Sequence, residues 1–215
     1  MFQYDKNALG SEETEVFVIG LGCFWGVETY FGSIKGVVRT SCGYSGGSED
    51  NPTYKRIKDH TETVRVEYDP EAVTYKDLAR QAVNSHNPMS ANRNRQYDNV
   101  IFYSTEEERE ILPDLFEELG YNYEDVETRV EPLNSYYFAE DYHQKYKLRS
   151  RRTLEDQFTS VYNHKELRHS SLATKINAIV GGELNKSDFP VPAELKFKQG
   201  VFDRIADRLI ILSNF

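Results

Sequence analysis

An apolar run that ends in glycines is the feature that most constrains the fold of this chain. Residues 16–21 read Val-Phe-Val-Ile-Gly-Leu, and Gly22 follows them. A continuous apolar run of this length is typical of a buried strand, and the glycines at positions 20 and 22 predict a sharp turn. The next apolar residues recur at helical spacing, namely Val27, Tyr30, Phe31 and Ile34. The pattern predicts a strand, a tight turn and a helix, with Cys23 at the start of the helix.

The pattern over residues 36–133 predicts an α/β (α+β) fold. Strands are predicted at 36–44, 63–68, 99–103 and 127–133, and helices at 74–84 and 105–119. Thr74, with Asp77 three residues later, is the expected N-terminal cap of the first helix. Thr105 or Ser104 is the expected cap of the second. The order β-α-β-β-α-β-α-β predicts a two-layer sandwich of a mixed β-sheet and packed helices, with a ferredoxin-like split βαβ core.

We divide the chain into three regions. Residues 1–14 are polar and aperiodic and are expected to form an N-terminal arm, residues 15–147 form the α/β domain, and residues 148–215 form a helical C-terminal extension. A small separate helical subdomain is the alternative for the last region. Its apolar stripes include Leu154, Phe158 and Val161, then Leu172, Ile176, Ile179 and Val180, and finally 201, 202, 205, 209 and 210. Gly181 and Gly182 are expected to end the second of these helices.

Composition limits the class of protein. A net charge of −9 over 215 residues argues against nucleic acid or an anionic membrane as the main partner. Two cysteines are too few for a disulfide framework, which favours a reducing compartment. The first residues contain neither a signal peptide nor a transit peptide pattern, so we expect a cytoplasmic protein. We also expect the protein to be a monomer.

Cys23 is the candidate nucleophile. The thiolate is the reactive form of cysteine, and a helix N-terminus stabilises negative charge. A buried cysteine is more often an apolar filler, but here glycines flank the thiol and two large aromatic residues follow it, one of them the only Trp in the chain. These neighbours favour a reactive thiol over a packing residue.

The residues around Cys23 resemble a known signature. Gly22-Cys-Phe-Trp-Gly26 is similar to the GCFWG motif of the peptide methionine sulfoxide reductase A family. The resemblance extends over residues 15–147 through further motifs in the family's order: Gly43-Tyr-Ser-Gly-Gly47, Asn51-Pro-Thr-Tyr54, His60-Thr-Glu62, Tyr68-Asp-Pro70, Gln96-Tyr97 and Tyr142-His-Gln144.

The resemblance implies reduction of methionine-S-sulfoxide, protein-bound or free, by attack of the Cys23 thiolate on the sulfoxide sulfur. It implies that Glu62 is the acid that protonates the oxygen and that Tyr54 and Tyr97 bind that oxygen. It also implies contacts to substrate from Phe24, Trp25, Asn92, Tyr142 and His143. Because a sulfoxide oxygen leaves poorly unless protonated, a proton donor near the thiol is chemically necessary.

The chain departs from the family pattern at two points. The run Asn92-Arg-Asn-Arg-Gln-Tyr97 has Asn where the family commonly has an acidic residue, and it adds Arg93 and Arg95. No cysteine follows Cys42, whereas many members of the family carry resolving cysteines near the C-terminus. Cys42 is either a packing residue or the resolving thiol. We expect an external thiol, such as thioredoxin, a glutathione system or dithiothreitol, to reduce the sulfenic acid on Cys23, and no bound cofactor or metal.

Two other classes of function remain at this stage. A peroxidase or thiol transferase would also use a cysteine at a helix start, although no CxxC pair is present. A module that binds oxidised methionine without turnover is the alternative without catalysis. His60, His86 and His143 lack the spacing of a metal site.

Overall fold

The computed structural model describes residues 1–8, 13–193 and 195. The last predicted stripe, residues 201–210, lies outside the described residues. No helix among the described residues is both long enough and apolar enough to cross a membrane.

A six-stranded mixed sheet forms the centre of the protein, with the strand order β5-β4-β1-β3-β2-β6. All neighbouring strands are antiparallel except β4 and β5, which are parallel. The inner order β4-β1-β3-β2, with helices after β1 and β3, is the predicted split βαβ core. The strands are β1 (Glu15–Leu21), β2 (Val37–Ser45), β3 (Thr61–Tyr68), β4 (Asn99–Tyr103), β5 (Arg129–Pro132) and β6 (Tyr136–Phe138).

Three helices accompany this sheet, and the last two lie within one residue of their predicted bounds. Helix α2 (Phe24–Ser33) follows β1, α3 (Tyr75–Asn84) follows β3, and α4 (Glu106–Glu118) follows β4. Thr74 and Thr105 each form a capping box with the acidic residue three positions later, which pairs N–H groups that the helix leaves free. The apolar faces of all three helices contribute to the main hydrophobic core.

The predicted turn between β1 and α2 is correct at Gly22 and wrong at Gly20. Gly22 has a φ of +79°, which a residue with a side chain rarely adopts. Gly20 remains inside β1, where a Cβ atom would come within 2.9 Å of the Val100 side chain and 3.1 Å of the Glu62 carbonyl oxygen. Gly20 therefore allows the neighbouring strands to approach each other, and the chain turns two residues later.

The sheet brings motifs that are distant in sequence to one end of its strands. Leu21, at the end of β1, pairs with Asn99 at the start of β4, and Tyr44, near the end of β2, pairs with Glu62 near the start of β3. Because β1 and β2 end where β3 and β4 begin, the residues just beyond these positions gather at one end of the sheet. Cys23 lies at this end.

The C-terminal extension is helical in its described part. It contains α5 (Tyr146–Arg149), α6 (Arg152–Thr159), α7 (His164–Arg168) and α8 (Ser171–Gly181), and Gly182 ends α8 in a left-handed conformation as predicted. The apolar residues of these helices form a second core cluster together with Phe2 from the N-terminal region. Val161 is wrongly predicted as part of this stripe, because it follows α6 and is exposed.

The N-terminal arm is more ordered than its polar sequence indicates. Residues Gln3–Ala8 form helix α1, and the Asp5 carboxylate accepts hydrogen bonds from the Leu172 N–H at 2.9 Å and the Ser170 hydroxyl at 2.7 Å. Asp5 therefore caps the start of α8, where a carboxylate stabilises the free N–H groups of the helix.

Buried polar groups join the extension to the α/β domain. Lys145 and Glu28 form an ion pair at 2.9 Å in which neither side chain is exposed to solvent. The Asn177 side chain of α8 donates to Glu28 at 3.3 Å and accepts from the Leu148 N–H at 3.0 Å. These contacts connect α2, which begins beside Cys23, to α8.

Candidate active site

Cys23 is the N-cap residue of α2. Its backbone is extended, its carbonyl accepts hydrogen bonds from Gly26 and Val27, and its thiol is exposed and free. The start of a helix presents N–H groups and a positive partial charge, both of which stabilise a thiolate. The predicted position of the thiol is therefore confirmed.

Glu62 lies against the residue that follows Cys23. One carboxyl oxygen accepts from the Phe24 N–H at 3.1 Å and the other accepts from the Gln96 side chain at 2.7 Å. The side chain is only 1% exposed. Burial raises the pKa of Glu62 above its ordinary value of 4.5, and the two hydrogen bonds oppose part of that rise. A carboxyl in this environment retains its proton to higher pH than an exposed glutamate does.

Tyr54 and Tyr97 come from different segments of the chain, and Tyr54 lies close enough to act on the pKa of Tyr97. Burial, followed by the neighbouring Tyr54 side chain, raises the pKa of Tyr97 to about 12. The Asn92 side-chain amide donates to the Tyr97 carbonyl at 2.7 Å, so Asn92 fastens the loop that carries Tyr97. Asn92 itself is exposed.

An aromatic group surrounds the start of α2. Phe24 is buried and lies 5.0 Å, between ring centroids, from His143, which lies 4.7 Å from Tyr54 and 4.1 Å from the exposed Tyr142. The Trp25 indole N–H donates to Nδ1 of His143 at 3.2 Å. The predicted residues of helix α2 and of the loops that carry Tyr54 and His143 therefore lie together at the start of α2.

His143 is neutral in this arrangement. Burial lowers its pKa, with Glu140 opposing that effect, and the bond from Trp25 requires an unprotonated Nδ1. The ring proton consequently lies on Nε2, which is buried and has no hydrogen-bond partner among the described residues.

The family to which this chain belongs follows from a comparison with known proteins. A family model described as peptide methionine sulfoxide reductase matches residues 15–175. The chain belongs to the peptide methionine sulfoxide reductase family. The match includes the whole α/β domain and extends into α8, beyond the predicted boundary at residue 147.

Individual relatives agree with this membership. A peptide methionine sulfoxide reductase of Drosophila melanogaster is 36% identical over 178 residues, which cover 81% of this chain and 72% of the relative. The reductase MsrA of Methanosarcina acetivorans is 39% identical and covers 66% of this chain and 87% of its own length. The solved structure of methionine sulfoxide reductase A of Corynebacterium diphtheriae is 34% identical, has a TM-score of 0.56, and covers 67% of this chain and 78% of its own. The activity of this reductase is the conversion of methionine-S-sulfoxide in peptides to methionine.

Two residues that contact the candidate site were not assigned from the sequence. Tyr146 stacks face to face on Trp25, with 3.7 Å between the ring centroids and 5° between the planes. Glu140 accepts from the Tyr54 N–H at 2.9 Å and from the Tyr44 hydroxyl at 2.8 Å. Both residues border the Tyr142-His-Gln144 motif, which is the only signal in the sequence that points to them.

Cys42 lies behind the site and is completely buried. Its sulfur is 3.9 Å from the Phe24 carbonyl oxygen, and its N–H donates to the Gln144 side chain at 2.9 Å. Burial, followed by the charge of Glu28, raises the pKa of the Cys42 thiol well above its ordinary value. Cys42 is therefore a protonated thiol in the core, while Cys23 faces solvent.

The described part of the reductase contains no group of three or more His, Cys, Asp or Glu side chains arranged to hold a metal ion. His60 is bonded to the Gly47 N–H and the Glu49 carbonyl, and His86 is bonded to the Ala82 carbonyl and the Thr128 hydroxyl. Both rings are thus used in loop structure.

Proposed function

We propose that Cys23 receives the sulfoxide oxygen directly and that Glu62 supplies the proton. The Cys23 thiolate attacks the sulfoxide sulfur and forms a sulfur–sulfur bond while Glu62 protonates the oxygen, and the sulfur–oxygen bond of the substrate then breaks. The released hydroxide attacks the Cys23 sulfur and breaks the sulfur–sulfur bond, which leaves a sulfenic acid on Cys23 and releases methionine. The Cys23 sulfur loses the two electrons that the substrate sulfur gains.

The observation that carries the proposal is the contact between Glu62 and the Phe24 N–H at 3.1 Å. Phe24 directly follows the nucleophile in the chain, so the carboxyl group lies next to Cys23. A carboxyl group whose pKa is raised by burial retains its proton to higher pH than an exposed glutamate and can transfer it in the transition state. The Gln96 amide then stabilises the carboxylate that remains.

The hydroxyls of Tyr54 and Tyr97 are suited to bind the developing oxyanion. With a pKa of about 12, the Tyr97 hydroxyl remains protonated at neutral pH and donates a hydrogen bond without losing its proton. Phe24 and Trp25 offer an apolar surface for the methyl group on sulfur. We infer that this contact selects the S epimer, because only one face of the sulfur meets Cys23 when the methyl group and the oxygen are both held.

Trp25 needs a fixed orientation for this role. Tyr146 covers one face of the indole, and His143 accepts its N–H at 3.2 Å. The exposed Tyr142 beside His143 is available for contact with the peptide around the methionine. Tyr142 and His143 lie just before helix α5, and Tyr146 is its first residue.

Regeneration of Cys23 is proposed to use an external thiol. That thiol attacks the sulfenic sulfur and releases water, and a second thiol then breaks the mixed disulfide. Thioredoxin, a glutathione system or dithiothreitol supplies these thiols in the proposal. Cys42 is completely buried and its thiol is protonated, and both properties oppose its action as the attacking group.

Turnover of dabsylated methionine-S-sulfoxide with dithiothreitol tests the chemistry. We expect Cys23→Ser to abolish turnover and Cys42→Ala, the matched cysteine control, to preserve it. Binding without turnover by the native protein would refute the oxygen transfer. Mass spectrometry after one equivalent of substrate tests regeneration, since an internal disulfide between Cys23 and Cys42 would refute the external thiol.

A further inference from the structure

The loop before Tyr97 contains two arginine residues, and only one of them forms side-chain hydrogen bonds with other described residues. Arg95 donates to the Asp59 carbonyl at 3.1 Å and the Gly46 carbonyl at 2.8 Å, and lies 3.7 Å from the Glu131 carboxylate. Arg93 is exposed and makes no ion pair or side-chain hydrogen bond with any described residue. Arg95 therefore stabilises the loop, whereas the charge of Arg93 is free.

Arg93 lines a cleft of about 500 Å³. The lining contains no acidic residue and consists of Asn87, Ser90, Ala91, Asn92, Arg93 and Asn99. Amide and hydroxyl side chains offer hydrogen-bond donors, and a guanidinium group offers a planar pair of them. This combination suits a carboxylate better than it suits a cation or an apolar group.

Two residues that line the cleft are connected to the candidate active site. Asn99 pairs with Leu21 across the sheet, and Leu21 lies two positions before Cys23 in the chain. Asn92 is bonded to the Tyr97 carbonyl, and the Tyr97 hydroxyl belongs to the proposed oxygen site. The cleft is therefore joined to the proposed site through strand β1 and the segment that carries Tyr97.

We propose that this cleft binds an aspartate or glutamate side chain close to the methionine sulfoxide in protein substrates. The inference rests on the proposed chemistry at Cys23 and adds a class of preferred substrate. Arginine and lysine side chains without an acidic partner can attract an acidic peptide even though the chain has a net charge of −9. Lys55 and Arg56, directly after Tyr54, are also exposed and without side-chain partners among the described residues.

Peptides that differ only in the residues flanking methionine-S-sulfoxide test the inference. Aspartate-, serine- and lysine-flanked peptides are compared by kcat/KM with dithiothreitol as the reductant, at low salt. A single exposed ion pair predicts a preference for aspartate over serine of about twofold to fivefold. At about 1 M salt, where screening acts beyond roughly 3 Å, the preference should disappear.

Two variants locate the effect. Arg93→Gln should bring the aspartate-to-serine ratio close to one, while Lys165→Gln, which removes the same charge from an exposed position on α7, should leave the ratio unchanged. Equal kcat/KM for all three peptides would overturn the inference and leave the proposed chemistry intact. Failure to reduce any peptide would refute both. A charge dependence seen only with thioredoxin as the reductant would also overturn the inference, because the cation would then serve the reductant.

Discussion

Replacement of Glu62 by Gln removes the proposed proton donor with little change of shape. The glutamine oxygen can still accept from the Phe24 N–H, and the Gln96 amide can rotate to meet the new NH₂ group. The substitution therefore separates the transferable proton from the packing of a side chain that is 1% exposed. Glu62→Asp, which withdraws the carboxyl from the site, should have intermediate activity.

The expected loss of rate follows from what a positioned acid contributes. General acid catalysis supplies about 10²-fold to 10⁴-fold, which corresponds to about 3–5 kcal/mol of the activation free energy. The relevant quantity is the single-turnover rate constant for release of methionine without reductant, because regeneration of Cys23 does not enter it. Glu124→Gln, at an exposed position in the short 3-10 helix Tyr123–Asp125, is the matched control.

The pH dependence of the same step provides a second readout. The acid must be protonated, so the wild-type rate should fall as pH rises through the raised pKa of Glu62, and the Gln variant should lack this fall. The free energy of unfolding should also fall as pH rises. Because the folded pKa of Glu62 is raised, its contribution to the free energy of unfolding decreases as pH rises above its ordinary value of 4.5. The variant should therefore gain thermal stability relative to wild type at high pH.

Two results would refute this reasoning. A single-turnover rate within about threefold of wild type at neutral pH would mean that Glu62 is not the acid, since even a weak acid contributes more. A variant that loses its folded structure at pH 5 and pH 8 alike would mean that Glu62 has mainly a structural role.

Further substitutions test the oxygen site, the second cysteine and the buried ion pair. Tyr97→Phe should lower the single-turnover rate about tenfold to a hundredfold, because one donor to the oxyanion is lost while Tyr54 remains. Cys42→Ala should leave that rate unchanged but reduce the free energy of unfolding by about 1 kcal/mol in urea denaturation, since it deletes one completely buried atom. Lys145→Met should reduce the free energy of unfolding by about 3–5 kcal/mol, because it leaves the carboxylate of Glu28 buried and unpaired. Adding Glu28→Gln should recover part of this loss, and a larger loss in the double variant would contradict the explanation.

The sequence predicted the elements of the α/β domain because their signals are local. The capping box at Thr74, for instance, involves only a residue three positions away. Strand β6 was missed, because Tyr136–Phe138 is short and is held by its pairing with β2 rather than by its own pattern. Gly20 was misinterpreted for a similar reason, since the need for a glycine there comes from Val100 on another strand.

The sequence motifs predicted which residues form the candidate site, but they did not predict how those residues contact one another. Cys23 and Glu62 stood out by residue type and resemblance, whereas the stacking of Tyr146 on Trp25 depends on how α5 returns to α2. The proximity of Tyr54 to Tyr97 likewise requires two distant segments of the chain to meet at the end of the sheet. Relations of this kind are set by tertiary packing and leave no periodic signal in the chain.

The position of the oxygen after a single turnover tests the central claim most directly. The enzyme is mixed with one equivalent of a methionine-S-sulfoxide peptide in the absence of any thiol, and sulfenic acid is trapped with dimedone for peptide mass spectrometry. The account predicts one equivalent of methionine and one trapped adduct on Cys23, with Cys42 unmodified. Formation of methionine without an adduct on Cys23, or by the Cys23→Ser variant, would contradict it.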